Sequence, residues 1–234
     1  MRFTKEILCN ERFKRLDKLN IPRIFRESKP EDFRIIGTTK GERDHNKKEL
    51  SKFMDYYNKL NSNIEKGRGL VLTGPCGVGK TLLLSLVVMK AIELCDKWNE
   101  VFREVQVEKG SEYVETLERE YRHNCYFIQG TTLGQLMFTQ NLNEQELKIR
   151  RAAKKFTVFA VDDITKMLET KMGNEISFID DIFRHRNFMQ LTTLISSQTA
   201  IEDLSTKLSE PLYDLIHGNS LVLTFVGPSQ REKS

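Results

Sequence analysis

A glycine-rich stretch from Gly69 to Thr81, GLVLTGPCGVGKT, holds the residues whose types and spacing could do chemistry. Gly74, Gly79, Lys80 and Thr81 fill every fixed position of the phosphate-binding loop pattern G-x-x-x-x-G-K-[ST], between a short apolar run and an apolar helical run. Glycines let successive backbone N–H groups curl around a phosphate, and the helix start adds the positive end of its dipole. The lysine can reach the β- and γ-phosphates, and the threonine hydroxyl can ligate Mg²⁺. The stretch predicts that a nucleoside triphosphate is bound by Gly74, Pro75, Cys76, Gly77, Val78, Gly79, Lys80 and Thr81.

A second motif is an apolar run that closes on acids, from Phe156 to Asp163. Sites built on a phosphate loop need acidic side chains at the end of a neighbouring strand, and this run ends in two. Asp162 would hold Mg²⁺, directly or through water, and Asp163 would orient the attacking water. A further predicted strand, Leu191 to Ser197, ends in the polar residues Ser196, Ser197 and Gln198. A polar residue at this strand tip could sense the γ-phosphate or position water, and we assign that role to Gln198. An ordinary strand-to-loop transition is the alternative.

Alternating strands and helices must position these residues. Hydrophobic periodicity predicts helices from Asp44 to Ile64, Thr81 to Leu94 and Asn174 to Phe188, and strands at Leu70–Thr73, Cys125–Gln129, Phe156–Asp163, Leu191–Ser197 and Leu221–Val226. This alternation predicts an α/β fold with a parallel sheet and helices on both faces. In such folds the ligand lies at the carboxyl ends of the strands, so we expect the nucleotide there.

Composition limits the classes of protein to consider. The 234 residues are 39% hydrophobic and 30% charged, which suits a soluble protein with a substantial core. The net charge is only +4, so any affinity for nucleic acid must come from local patches. Four widely separated cysteines argue against a disulfide framework or a zinc site. Without a membrane-spanning run or a signal-peptide core, we expect a cytoplasmic protein with no membrane partner.

Two basic clusters could contact DNA. Residues 1–30 carry nine basic and four acidic side chains. The second cluster consists of Lys148, Arg150, Arg151, Lys154 and Lys155. Either cluster could instead be a solvated helix face. Because neither carries a base-reading motif or interleaved aromatic residues, we expect sequence-independent contacts to the phosphate backbone.

Charge patterning also suggests the domain organisation. We expect residues 1–43 to form a basic N-terminal extension and residues 44–234 to form the ATP-binding domain. Within that domain, residues 96–124 carry eight acids and five bases, with a glutamate every fourth residue from Glu100 to Glu112. This pattern predicts a charged helical insertion that turns at Lys109–Ser111. A solvated insertion is favoured over a partner contact.

From about Asn20 onward, the ordered set of motifs resembles the AAA+ ATPases of the DnaC/IstB type, which are P-loop NTPases. The matching pieces are Asn20–Ile24, Gly69–Thr81, Val161–Ile164, Leu194–Gln198, Gly218–Leu221 and Gly227–Arg231. The resemblance implies an AAA+ core with a five-stranded sheet of order 5-1-4-3-2, a small helical N-terminal extension and no C-terminal lid domain. It also implies ATP as the ligand, self-association on DNA in the ATP-bound state, and Arg231 as the second-sensor arginine.

The two branches of that family imply different partners, a replicative helicase or a transposase. The Asp162–Asp163 and Ser197–Gln198 pairs resemble the IstB-like transposition helper. The Gly218–Leu221 segment and the short N-terminal region resemble the DnaC-like helicase loader. We expect a loader, with a transposition helper as the alternative. A small-molecule kinase is less favoured because no arginine-rich lid segment is found, and a vestigial nucleotide site is disfavoured by the intact motifs.

One departure from the family pattern affects the expected rate. Where the family has an arginine that reaches the γ-phosphate of a neighbouring subunit, this sequence aligns Leu215. Arg184 or Arg186 could substitute for it. Asp163 is also one methylene shorter than the glutamate that is usual at its position. We therefore expect ATP hydrolysis to be slow in the isolated protein.

Overall fold

The structure, a computed structural model, describes residue 16 and residues 19–107, 124–138, 144–165, 175–205 and 210–229. The helices in these ranges are α1 (Lys40–Asn58), α2 (Leu60–Glu65), α3 (Lys80–Val107), α4 (Gly130–Phe138), α5 (Glu144–Lys155), α6 (Glu175–Phe188), α7 (Ile201–Ser205) and α8 (Glu210–Gly218). The strands are β1 (Gly69–Thr73), β2 (Cys125–Gln129), β3 (Val158–Asp162), β4 (Thr192–Ser197) and β5 (Ser220–Thr224).

The described strands form one parallel sheet in the order β2-β3-β4-β1-β5. Read from the opposite edge, this is the predicted order 5-1-4-3-2, which is therefore confirmed. Thr73 is in register with Ser197 and with Thr224, and Gln129 is in register with Asp162. The motif-bearing ends of the strands consequently meet at the carboxyl edge of the sheet.

Alternating strand residues face two hydrophobic clusters, one on each side of the sheet. Leu70 and Leu72 of β1 belong to the cluster that includes side chains of α1, α2 and α3. Val71, between them, belongs to the cluster that includes side chains of α4, α5, α6 and α8. Because successive side chains of a strand point to opposite faces, each strand contributes to both layers. The prediction of helices on both faces is confirmed.

The first long helix differs from the prediction at both ends. It begins at Lys40 rather than at Asp44, because Thr39 and Glu42 form a capping box in which each side chain bonds the other's backbone N–H. It ends at Asn58, and a short second helix follows, so the single helix predicted as far as Ile64 is wrong. The predicted domain boundary at residue 43 thus falls inside α1. Of the proposed extension, Ile21 and Phe33 are buried in the same core cluster as α1.

The helix after the phosphate loop is longer than the sequence suggested. Its apolar part was predicted to end at Leu94, but α3 continues without a break to Val107. The first part of the predicted charged insertion is therefore a continuation of this helix. The predicted turn at Lys109–Ser111 lies outside the described residues.

The open edge of the sheet at β5 is covered by polar side chains of α1. Glu49 accepts a hydrogen bond from the backbone N–H of Thr224, and His45 Nε2 lies 2.8 Å from the carbonyl oxygen of the same residue. Asn46 accepts from the N–H of Val226 and donates to its carbonyl oxygen. Side chains thus satisfy backbone groups that an edge strand otherwise leaves unpaired. This contact fixes the path of the chain just after β5.

Candidate nucleotide-binding site

The phosphate loop connects β1 to α3, and three of its glycines adopt positive φ angles. These angles are 133° at Gly74, 83° at Gly77 and 100° at Gly79, in a region that side chains with a Cβ rarely occupy. The loop is also tightly packed. A Cβ on Gly74 would lie 2.0 Å from the carbonyl oxygen of Phe225, and one on Gly77 would lie 1.9 Å from Ser229 Oγ. The segment after β5 therefore rests directly on the loop.

Lys80 lies inside the loop and is only 7% exposed. Its Nζ donates hydrogen bonds to the carbonyl oxygens of Gly74 and Pro75, at 2.6 and 2.7 Å. Val78 is buried, whereas Pro75 and Cys76 are exposed at the variable positions of the motif. The structure thus brings the predicted phosphate-binding residues together around a buried ammonium group.

Thr81 and Asp162, the predicted Mg²⁺ ligands, are in direct contact across the site. The Thr81 hydroxyl lies 3.1 Å from both carboxylate oxygens of Asp162. Burial raises the pKa of the Asp162 carboxyl above its ordinary value, while hydrogen bonds from Ser196 and Thr81 and the charge of Lys80 act in the opposite direction. A hydroxyl and a carboxylate are oxygen ligands of the kind that Mg²⁺ prefers. These residues fit a magnesium site.

Asp163 and Gln198, which were predicted to act on water and the γ-phosphate, are paired with each other. The Gln198 side-chain amide donates to Asp163 Oδ2 at 2.5 Å. Asp163 leaves the line of β3 with a φ of +59°, and its carbonyl oxygen lies 2.2 Å from where a Cβ on Gly130 would be. The left-handed turn at Asp163 directs its carboxylate toward the tip of β4. The structure therefore places both predicted residues in one small polar cluster.

Ser196 belongs to the site but was not singled out from the sequence. Its hydroxyl donates to Asp162 Oδ1 at 2.6 Å and accepts from the backbone N–H of Asp163 at 2.8 Å. Polar residues at the end of an otherwise apolar strand were a signal, since β4 ends in Ser196 and Ser197. The sequence did not indicate which of the two hydroxyls reaches Asp162 at the end of β3.

A cleft of about 500 Å³ runs past these residues. Its lining includes Lys80, Asp162 and Gln198, and also the apolar side chains of Ile24 and Phe25. Ile24 is 81% exposed, which is unusual for a large apolar side chain. The two apolar residues lie in a 3-10 turn within the predicted N-terminal extension. They add apolar surface to a cleft that is otherwise lined largely by polar and charged residues.

The predicted DNA-binding cluster lies on α5, and its members differ in their surroundings. Arg150 is half-buried and donates to the carbonyl oxygen of Leu136, and Lys154 bonds Asp181 of α6 at 2.6 Å. The exposed members are Lys148, Arg151 and Lys155, of which Lys148 pairs with Glu144 one turn earlier. These three, at helical positions i, i+3 and i+7, share one face of α5.

The substitutes considered for the missing arginine are not equivalent. Leu215 packs against the second core cluster. Arg184 is exposed on α6 and bonds Asp180 one turn earlier. Arg186 is completely buried, so the suggestion that it could reach another subunit is wrong. The second-sensor candidate, Arg231, lies outside the described residues.

Arg186 instead joins the ends of three elements in the core. Its guanidinium donates to Thr193 Oγ1 and to the carbonyl oxygens of Ala153, Phe156 and Thr192, and lies 5.4 Å from the ring centroid of Phe159. Burial lowers the pKa of Arg186 to about 9, so the side chain remains cationic at neutral pH. Its hydrogen bonds compensate for the removal of that charge from water.

In the described parts of the chain, no helix has the length and apolar character needed to cross a membrane. No protein-family model and no curated protein matches the sequence.

Solved structures, in contrast, match most of the chain. It is similar to the DnaI crystal structure, with a TM-score of 0.58 and 19% identity over 93% of this chain and 100% of that one. It is also similar to the DnaC helicase loader, with a TM-score of 0.54 and 17% identity over 87% and 99%. The replication initiator DnaA bound to AMPPCP and single-stranded DNA gives a TM-score of 0.57 and 14% identity over 88% and 51%. At these identities the likeness shows the fold. The chain therefore has the AAA+ fold, and the resemblance to DnaC-type ATPases is confirmed at that level.

Proposed function

We propose that this protein is an ATP-binding AAA+ switch that assembles on DNA and delivers or activates a partner enzyme. The observation that carries the proposal is the convergence of the buried Lys80, the Thr81–Asp162 contact and the Asp163–Gln198 pair in a single cleft. Each of these groups has a role in binding or hydrolysing a nucleoside triphosphate.

ATP would lie along the cleft, with its phosphates in the loop. The backbone N–H groups of the loop and the Lys80 ammonium would bind the β- and γ-phosphates. The apolar side chains of Ile24 and Phe25 offer a surface on which a purine could pack.

Thr81 and Asp162 would hold Mg²⁺, which would offset the negative charge of the phosphates. Asp163 would orient the attacking water, and Gln198 would hold the Asp163 carboxylate in place. Leu215 stands where the family has the arginine that reaches a neighbouring subunit's γ-phosphate, here called the trans arginine. ATP turnover should therefore depend on a partner or on another cation. Arg184 is the exposed candidate for that cation.

DNA would contact the exposed face of α5 formed by Lys148, Arg151 and Lys155. Cations on one helix face can bind successive phosphates without reading bases. The similarity to DnaA bound to single-stranded DNA supports a DNA-associated role, and the similarity to DnaI and DnaC supports a helicase loader over a transposition helper. The Asp162–Asp163 and Ser197–Gln198 pairs remain the sequence observations that favour the transposition helper.

The nucleotide site is tested by titrating wild-type protein and the Lys80→Ala variant with a fluorescent ATP analogue in Mg²⁺. Loss of a charge-assisted contact costs about 1.5–3 kcal/mol, so affinity should fall roughly 10- to 100-fold or more. Lys59→Ala, which removes an exposed lysine of a surface ion pair, is the matched control. Equal affinities for wild type and Lys80→Ala would contradict the site.

The class of reaction is tested on the same preparations. We expect slow release of phosphate from ATP without DNA and faster release with DNA or partner. Phosphoryl transfer to a nucleoside monophosphate would instead indicate a kinase. Affinity capture from native cells with ATP and a non-hydrolysable analogue distinguishes the two partners, because a loader retains a helicase and a transposition helper retains a transposase.

A further inference from the structure

A single buried hydroxyl, that of Ser196, connects the two consecutive acids of the site. The side chain is 1% exposed and lies near the carboxyl end of β4, beside the end of β3. The hydroxyl donates its proton to Asp162 Oδ1 and accepts the backbone N–H of Asp163. One group therefore contacts the carboxylate that faces Thr81 and the backbone of the residue that would orient water.

The bond from Asp163 matters because of the backbone conformation at that residue. Its φ of +59° is left-handed, a region in which non-glycine residues are sparse and need support from their surroundings. The Ser196 hydroxyl supports the turn through the Asp163 N–H. On the other side, the Asp163 carbonyl oxygen packs against Gly130, where a side chain would collide with it. The direction of the Asp163 carboxylate toward Gln198 follows from this turn.

We propose that Ser196 is a positioning residue of the nucleotide site, one that keeps the Asp162 carboxylate directed at Thr81 and holds the left-handed turn that aims Asp163. The inference rests on the proposed function, since it assigns Ser196 a part in that same reaction. Ser196 does not touch the nucleotide phosphates in this scheme; it acts through the two aspartates. Loss of the hydroxyl should therefore slow turnover more than it weakens nucleotide binding.

The chain supplies a matched control in the next residue. Ser197 is also buried in β4, but its hydroxyl bonds Thr165 and Thr199 instead. Ser197→Ala removes the same group from a comparable environment without removing the bonds to Asp162 and Asp163. Ser196→Cys is a second test variant, because it fills the space of the serine while making only weak hydrogen bonds.

The experiment compares wild type, Ser196→Ala, Ser196→Cys and Ser197→Ala. For each, kcat for ATP is measured with DNA present, and the affinity for a fluorescent ATP analogue is measured in Mg²⁺ and in EDTA. We expect both Ser196 variants to lower kcat by about 10- to 100-fold, the range typical for partners of metal-ligating residues. Their affinity in EDTA should stay within twofold of wild type, and the gain in affinity on adding Mg²⁺ should shrink. Ser197→Ala should leave kcat within threefold.

Two results would overturn the inference: kcat within threefold of wild type in both Ser196 variants, or an equal loss of kcat in Ser197→Ala. Failure of the proposed function looks different. A wild-type protein that neither binds ATP nor hydrolyses it under any of these conditions refutes the proposed function, and the inference with it, before any variant is compared.

Discussion

Replacing Arg186 by methionine tests whether this arginine has a structural role or a catalytic one. The guanidinium makes four hydrogen bonds of 2.5 to 2.9 Å, three of them to backbone carbonyl oxygens in the core. Methionine keeps an apolar stem of similar length but removes these hydrogen bonds and the guanidinium over the Phe159 ring. A second consequence acts in the opposite direction, because the variant no longer buries a charge.

The magnitude follows from these contacts. Each of the three buried carbonyl groups that loses this donor costs about 1–3 kcal/mol, and the gain from no longer burying a charge offsets part of that sum, which leaves about 3–5 kcal/mol. For a domain of this size, 1 kcal/mol shifts the melting temperature by about 2–4 °C. Arg186→Met should therefore melt about 6–20 °C below wild type. Its loss of turnover should parallel its loss of folded protein at the assay temperature.

The assay is thermal unfolding followed by circular dichroism, beside ATP hydrolysis at several protein concentrations. Arg184→Met is the control. Arg184 lies two residues earlier on the same helix, where its side chain is exposed and bonds Asp180. This variant should melt with wild type. If Arg184 is the trans arginine, this control should lose the rise in specific activity that accompanies self-association. An Arg186→Met protein that melts within 2 °C of wild type would refute the reasoning about the buried network.

Two further predictions concern the surface of the protein. Single replacement of Lys148, Arg151 or Lys155 by alanine should weaken binding to all DNA sequences alike and reduce by about 1 the slope of log affinity against log salt. Lys154→Ala should have a smaller effect because its side chain is partly buried and pairs with Asp181 of α6, whereas the Lys148–Glu144 pair is highly exposed and therefore weak. Fluorescence anisotropy at several salt concentrations measures this, and identical slopes for all four variants would contradict it. Cys76 is exposed on the phosphate loop, so it should be alkylated in the native protein and protected from alkylation by Mg·ATP. The Cys76→Ser variant should still bind nucleotide. Mass spectrometry of the alkylated peptide measures the labelling, and equal labelling with and without Mg·ATP would place Cys76 away from the nucleotide.

The sequence predicted the phosphate loop and the strands of the sheet because both depend on local signals. The spacing of Gly74, Gly79, Lys80 and Thr81 defines the phosphate loop by itself, and the strands are short apolar runs bounded by breaks. The order of the strands came from the resemblance rather than from periodicity. The continuity of α3 was missed because the change to a glutamate-rich composition after Leu94 was interpreted as the start of a separate helical insertion, although Trp98, Val101, Phe102 and Val105 keep a helical spacing.

Contacts between distant residues were beyond the reach of the sequence. Ser196 and Asp162 are 34 positions apart, and which of two adjacent serines faces the acid is decided by the register of β3 and β4. Arg186 was misassigned for a related reason. Charged residues near a helix end are usually solvated, and the carbonyl groups that accept its hydrogen bonds belong to other elements. The sequence pattern alone does not show that hydrogen bonds from other elements compensate for burying the charge of Arg186.

The phosphate loop depends on a chain of contacts that begins far from it. Asn46 of α1 holds both backbone groups of Val226, 180 positions later. The adjacent Phe225 places its carbonyl oxygen against Gly74, and the segment then brings Ser229 against Gly77. Because the covered edge of β5 fixes the segment that rests on the loop, the shape of the phosphate site is determined jointly by the start of the domain and by its last described residues. A motif of eight residues can therefore indicate which ligand to expect, while the packing that holds the loop in shape comes from α1 and from the segment after β5.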